Sequence, residues 1–257
     1  MNISFIGKTL LVEEDGLRVL AVGDLHLGFA EAARRAGKGV PMDLLGDMIG
    51  SLEDVFEEIE KVDAKEASSL DVTKSKKPHP KGADTQDRLV DTVVLLGDVK
   101  QVFGAILPSE REEFGKLVGF LKKWCEKIVV VKGNHDVLLD FMGVETVVSY
   151  RVGDVCFVHG DKTVVGIEDC NTWVMGHGHP AIVLKDDVKE EKFPCFLDGS
   201  FEGRRVIVLP SFSPANVGSD AREWDLGLAW DFDLESFLVW VVGDDGEVRE
   251  MGRLGGL

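Results

Sequence analysis

Apolar positions alternate along the first 23 residues. Phe5-Ile6, Leu10-Leu11-Val12 and Val19-Leu20-Ala21-Val22 form three runs, and Glu14-Asp15-Gly16 makes a turn before the last. The pattern predicts a hairpin leading into a third strand. Between 43 and 60 the period changes: Leu45, Met48, Ile49, Leu52, Val55, Phe56 and Ile59 recur at three- and four-residue steps, as in an amphipathic helix. Residues 63–90 then break the pattern. Ala64 to Arg88 holds almost no large apolar side chain and includes Lys74-Ser75-Lys76-Lys77-Pro78-His79-Pro80-Lys81-Gly82. This stretch reads as a flexible insertion in a single domain spanning 1–257, with His79 a solvated loop residue.

Regular patterning resumes with Thr92-Val93-Val94-Leu95-Leu96, which ends at Gly97-Asp98. Ser109 with Glu112 three residues on predicts a capped helix start, and Phe114, Leu117, Val118, Leu121, Trp124 and Cys125 supply its buried stripe. Ile128-Val129-Val130-Val131 is the next strand. Two strand–helix–strand passages predict a partly parallel sheet covered by helices. From 147 onward, short strand-like segments at 147–150, 155–158, 172–175, 181–184, 193–197, 205–209 and 237–242 predict mostly antiparallel pairing in a second sheet against the first.

The chemistry-bearing residues sit where the apolar runs stop. Five of the six histidines fall in short glycine-containing cassettes: Gly23-Asp24-Leu25-His26, Gly133-Asn134-His135-Asp136, His159-Gly160-Asp161 and Gly176-His177-Gly178-His179, to which Gly97-Asp98 adds a carboxylate. Asp24 and His26, like His177 and His179, are two apart, a spacing that points both side chains to one side. Asp98 directly follows a strand, where a carboxylate can bridge two cations. The glycines allow tight turns and leave room for substrate. Mixed carboxylate, amide and imidazole donors suit Mn, Fe or Zn better than Mg or Ca, and the cassettes contain no thiolate of the kind a structural zinc site uses.

Composition narrows the class. A formal net charge of −17 argues against a broad electrostatic DNA-binding surface. No apolar run approaches the ~20 residues of a membrane span, and the N-terminus reads as a strand, not a signal peptide. Cys125, Cys156, Cys170 and Cys195 are scattered and read as unpaired buried side chains in a reducing cytoplasm.

The order Asp-x-His, Gly-Asp, Gly-Asn-His-Asp, His-Gly, Gly-His-Gly-His from Asp24 to His179 resembles the calcineurin-like metallophosphoesterases. Asp24-Leu25-His26-Leu27-Gly28 and the Arg34/Arg35–Gly37–Pro41 stretch are similar to the small archaeal and bacterial phosphoesterases related to DNA-repair nucleases, including the DNA-ligase-associated type. The resemblance implies an α/β four-layer sandwich, two packed mixed sheets flanked by helices. It implies two divalent transition-metal ions, Mn foremost: Asp24, His26, Asp98 and His179 around one, and Asp98, Asn134, His159 and His177 around the other. His135 would donate a proton to the leaving oxygen. The implied reaction is hydrolysis of a phosphate diester, at a nucleotide or nucleic-acid end, by metal-activated hydroxide. A phosphomonoesterase and a catalytically inactive scaffold of the same fold are the alternatives.

Some positions stay open at this level. Family members often place Asp or His three residues after the Gly-Asp pair, to orient the catalytic histidine; here that residue is Gln101. Either His135 is less effective, or Asp136 or Asp161 takes the supporting role. Asp136 competes as a helix cap. Lys100 either meets a phosphate or is a surface lysine. Arg34 and Arg35 either face substrate or are solvated. The Ser211–Asn216 loop is a candidate border of the cleft.

Overall fold

A computed structural model of the chain describes residues 1–39, 43–69, 88–136, 143–185, 189–223 and 225–257. Labels below follow chain order. The first sheet has the order β1 (Asn2–Ile6), β2 (Thr9–Glu14), β3 (Leu17–Val22), β4 (Val90–Leu95), β5 (Cys125–Val131) and β6 (Glu145–Val147). The hairpin strands pair antiparallel, whereas β3, β4, β5 and β6 run parallel. The second sheet has the order β13 (Ser219–Asp220), β10 (Pro180–Lys185), β11 (Glu190–Phe201), β12 (Arg204–Val208), β9 (Thr172–Met175), β8 (Val155–Val158) and β7 (Ser149–Val152). β14 (Leu238–Val242) and β15 (Val248–Arg253) extend it from β11.

Side-chain parity builds three apolar layers. In β3, Val19 and Ala21 face the second sheet while Leu20 and Val22 face the helices; Val94 against Val93 and Leu95, and Val129 against Val130, repeat this alternation. From the other side Val155, Phe157, Val174 and Ile207 close the layer between the sheets. The outer face of the first sheet is covered by α2 (Leu44–Ser69) and α3 (Pro108–Leu121), with Phe29 of α1 (Phe29–Arg35) packed beside them. Over the second sheet lie short 3-10 turns at Ile167–Asp169, Leu234–Ser236 and Leu254–Gly256 and the loops around them, with no long helix among the described residues.

Several expectations are corrected. The proposed insertion begins too early, because α2 continues to Ser69. Its last turns contain Ala64, Lys65, Glu66 and Ala67, good helix formers that extend an already nucleated helix without needing apolar residues. Val90, at the other end, is a buried residue of β4. Residues 70–87, with His79 and the Lys74–Gly82 run, lie outside the described residues.

The α3 start is also shifted. Pro108 opens the helix, and it is Glu110, not Glu112, whose carboxylate reaches back to the Leu107 N–H at 2.6 Å. The second sheet is mostly antiparallel, as expected, but β8, β9 and β12 at its centre run parallel, as the strands after β2 do in the first. Cys156 and Cys170 form a disulfide, with Cα atoms 5.9 Å apart. Both face the outer layer of the second sheet, where β8 and the residues leading into β9 lie side by side. Cys125 and Cys195 are free and buried.

Candidate metal centre

The parallel strands explain how residues from 24 to 179 meet. The turns after β3, β4 and β5 carry Asp24 and His26, Asp98, and Asn134 and His135; those after β8 and β9 carry His159, and His177 and His179. These are the C-terminal ends of parallel neighbours in each sheet, so within a sheet the turns emerge at one edge. Ligands of open α/β sheets gather at such edges.

Two donor groups result: Asp24, His26 and His179, and Asp98, His159 and His177. Within each, the donor atoms all lie within 4.8 Å of one another. In the first, His179 Nε2 is 3.1 Å from Asp24 Oδ1 and 3.4 Å from His26 Nε2. In the second, His159 Nε2 is 3.1 Å from His177 Nδ1 and 3.5 Å from Asp98 Oδ1, and Asn134 Oδ1 joins it at 3.2 Å. The groups adjoin, with His159 Nδ1 3.8 Å from Asp24 Oδ1. Backbone N–H groups brace both carboxylates: His177 N donates to Asp24 Oδ2 at 3.0 Å, and His135 N to Asp98 Oδ1 at 3.0 Å.

Five of the seven candidate ligands hold positive φ: Asp24 32°, His26 50°, Asp98 46°, His177 63° and His179 41°. Non-glycine residues rarely do so, and such strain concentrates where surrounding structure over-determines a site. The flanking glycines serve the same crowding. A Cβ on Gly97 would fall 2.7 Å from Gly133 N and strike the His159 ring; one on Gly133 would strike the Asp98 carboxylate. Gly97 and Gly133 therefore allow the ligand turns to touch each other, where the sequence suggested room for substrate.

Protonation follows burial and charge. His159 Nδ1 donates to the Leu96 carbonyl at 2.6 Å, which turns Nε2 toward His177, Asn134 and Asp98. Burial pushes His26 down to about 4 against the pull of Asp24, so it is neutral at pH 7, and burial with the nearby His159 lowers His177. For His179 burial also opposes the charge, but Asp24 outweighs it and raises the imidazole. Burial disfavours the Asp24 carboxylate too, yet His179, His159 and His26 hold it below its ordinary range.

This donor set fits divalent ions. Imidazole nitrogens face one another at 3.1 and 3.4 Å beside buried carboxylates, and His26 Nδ1 is buried without a hydrogen-bond partner. Converging lone pairs and carboxylates of this kind are what a cation stabilises.

The remaining sequence candidates fall elsewhere. His135 Nδ1 donates to the backbone carbonyl of Gln101 at 2.7 Å, with Nε2 3.9 Å from Asp98 Oδ2. A backbone oxygen, not a side chain, thus orients this histidine. Asp136 accepts from Val99 N, Lys100 N and Gly133 N at 3.0, 3.3 and 3.0 Å, joining the Asp98 turn to the Asn134 turn and leaving His135 to Gln101. Burial, opposed by the Gly133 N–H, raises Asp136 to about 6. Asp161 is 3.9 Å from Lys162 and acts on His177 through charge. Lys100 is neither on the surface nor aimed at the cleft: it is buried, with Nζ on the carbonyls of Val102 and Ala105. Arg35 is tied to Glu31 at 3.0 Å, and Arg34 is exposed on α1.

The loop after β12 borders the cleft as expected, with Ala215 and Asn216 in the cavity lining, and it also makes hydrogen bonds that the sequence did not show. Ser211 Oγ donates to Asp24 O at 2.9 Å, and Asn216 Nδ2 lies 2.8 Å from His179 Nδ1. A cavity of about 410 Å³ opens over the two groups, lined by His26, Asp98, Asn134, His135, His177 and His179 among others.

The family model for calcineurin-like phosphoesterases matches residues 17–245. Among solved structures, the nuclease MPE of Pseudomonas putida is similar at 16% identity over 97% of this chain and 100% of that one, with a TM-score of 0.54. A Vps29 single mutant from Entamoeba histolytica (14% identity, 91% of this chain, 98% of that one) has a TM-score of 0.38. A predicted phosphoesterase from Streptococcus pneumoniae (15%, 91%, 97%) has a TM-score of 0.33. No curated protein matches. At its identity the Pseudomonas putida structure speaks to the fold alone, and the family match covers most of the length. The chain belongs to the calcineurin-like phosphoesterase family.

Proposed function

We propose that this protein is a dinuclear, manganese-dependent phosphodiesterase acting on nucleotide or nucleic-acid ends. Family membership supports hydrolysis of a phosphoric ester. The observation that carries the dinuclear reading is the pair of adjoining donor groups beneath one cavity. Asp24, His26 and His179 would hold one ion, His159, His177 and Asn134 the other, with Asp98 shared. When bound, a divalent pair supplies neutralising charge for the phosphoryl oxygens and an acidified water.

The chain's own groups supply the rest. Gln101 O fixes the proton on His135 Nδ1 and turns Nε2 toward the cavity, where the protonated ring can give a proton to the leaving oxygen. Asn134 donates an oxygen without adding negative charge. The diester preference draws on an absence of cations: among the described residues, no lysine or arginine lines the cavity. A monoester dianion needs more positive charge than a diester monoanion, and Lys100 and Arg35 are engaged elsewhere.

Manganese-loaded protein should hydrolyse bis-p-nitrophenyl phosphate faster than p-nitrophenyl phosphate, and Asp98→Asn should abolish both reactions. Turnover of the monoester alone would refute the diester reading. No helix among the described residues is long and apolar enough to cross a membrane. We place the protein in the cytoplasm, a location the Cys156–Cys170 disulfide pulls against, since such bonds persist mainly in oxidising compartments. Thiol alkylation in freshly lysed cells tests it: free Cys156 and Cys170 support the cytoplasm, linked ones an oxidising compartment.

A further inference from the structure

The loop between β4 and α3 holds an exposed aromatic ring beside His135, and buried charges fix that loop. Lys100, 1% exposed, donates to the Val102 carbonyl and, at 3.0 Å, to the Ala105 carbonyl. Glu110, also 1% exposed, accepts from Val102 N at 2.7 Å and Leu107 N at 2.6 Å. Between these clamps Phe103 is 64% exposed, its ring centroid 6.0 Å from that of His135 and almost perpendicular at 86°. His26 flanks His135 in turn, at 5.6 Å and 85°. His135 therefore stands between a metal-donor residue and Phe103.

A lone exposed phenylalanine is ordinary. Here, however, the buried Lys100 and the carbonyl that orients His135 belong to the loop presenting it, and the buried Glu110 of α3 holds two of its N–H groups. We propose that Phe103 is the stacking platform for the nucleoside on the leaving side of the scissile phosphate, an inference that rests on the phosphodiesterase reading. The proton donor must touch the leaving oxygen, so the organic group attached to that oxygen lies beside His135, where Phe103 presents its ring. No lysine or arginine among the described residues lines the cavity, and the chain carries −17, so recognition beyond the metals falls to neutral groups, among which Phe103 offers an exposed flat ring beside His135. Every nucleobase offers a flat face to such a ring.

The test compares a thymidine dinucleotide with two analogues, each abasic on one side of the phosphate. Manganese-loaded wild type should lose about tenfold in kcat/KM when the leaving-side base is missing, and little when the other is. In Phe103→Ala this ratio should fall to near one. Phe103→Trp should keep it, and Phe103→Leu, apolar but not flat, should lose it. Isothermal titration of the same dinucleotides into metal-free protein should show the same leaving-side preference in wild type and its loss in Phe103→Ala. A preference that survives in Phe103→Ala, or hydrolysis with no base preference in wild type, overturns the platform. Base-dependent binding that is lost in Phe103→Ala, without hydrolysis of any diester, overturns the phosphodiesterase reading and the leaving-side assignment with it, and leaves Phe103 as a base-binding ring. Neither binding preference nor hydrolysis overturns both.

Discussion

Replacing His177 by glycine should leave a more stable metal-free protein than replacing it by alanine. Both changes delete the imidazole and open the same space, so their difference isolates the backbone. His177 holds φ at 63°, where a Cβ costs roughly 1–2 kcal/mol. Against that, glycine loosens the unfolded chain relative to alanine by about 0.4–1 kcal/mol. The net advantage of glycine is therefore about 0.5–1 kcal/mol, or roughly 2 °C in Tm for a chain of this size. His159 provides the control, since it is not among the positive-φ residues. There glycine should be the worse replacement, by about 0.5–1 kcal/mol. Urea denaturation in EDTA measures all four variants. A reversal of sign between the two positions is the expected outcome. Glycine no better than alanine at 177 would refute the view that the ligand turns store backbone strain.

Three further outcomes follow from the same geometry. Gly97→Ala should lower stability by roughly 2–4 kcal/mol in thermal melts, because φ is +87° and the new Cβ meets Gly133 and the His159 ring. Lys100→Met leaves the Val102 and Ala105 carbonyls without their donor; it should cost about 1–3 kcal/mol and reduce kcat more than it raises KM, because Gln101 O then holds His135 less firmly. Asp220 is held down to about 2, chiefly by hydrogen bonds from Arg222 and against its burial. Because its folded value is depressed, that stabilisation is fully present above about pH 4 and disappears as pH falls through 2. Asp220→Asn should thus cost roughly 2 kcal/mol at pH 7, with the gap from wild type closing in strong acid.

What the sequence made legible is local. The convergence of Asp24, His26, Asp98, His159, His177 and His179 could be anticipated because each follows an apolar strand within a glycine-containing cassette, and because strand parity fixes which neighbours share a side. What it hid is carried by backbone atoms or by distant partners. The Gln101 carbonyl orients His135, and no side-chain type advertises a carbonyl. Lys100 reads as either a phosphate contact or a surface lysine, and only the fold shows the carbonyls that receive it. Asn216 reaches His179 through a loop after β12, from a strand whose parallel pairing with β9 was not visible in its short apolar pattern. The Cys156–Cys170 bond depends on that same side-by-side arrangement. α1 is seven residues long, too short for a helical period to stand out.

The central claim is that Asp24 with His26 and His179, and Asp98 with His159 and His177, form two adjoining cation sites. Anomalous diffraction at the manganese edge, on crystals of the manganese-loaded protein, tests this without relying on activity. Two peaks are expected, one within each group, with Asp98 in contact with both. A single peak, none, or peaks lying away from these residues would contradict it.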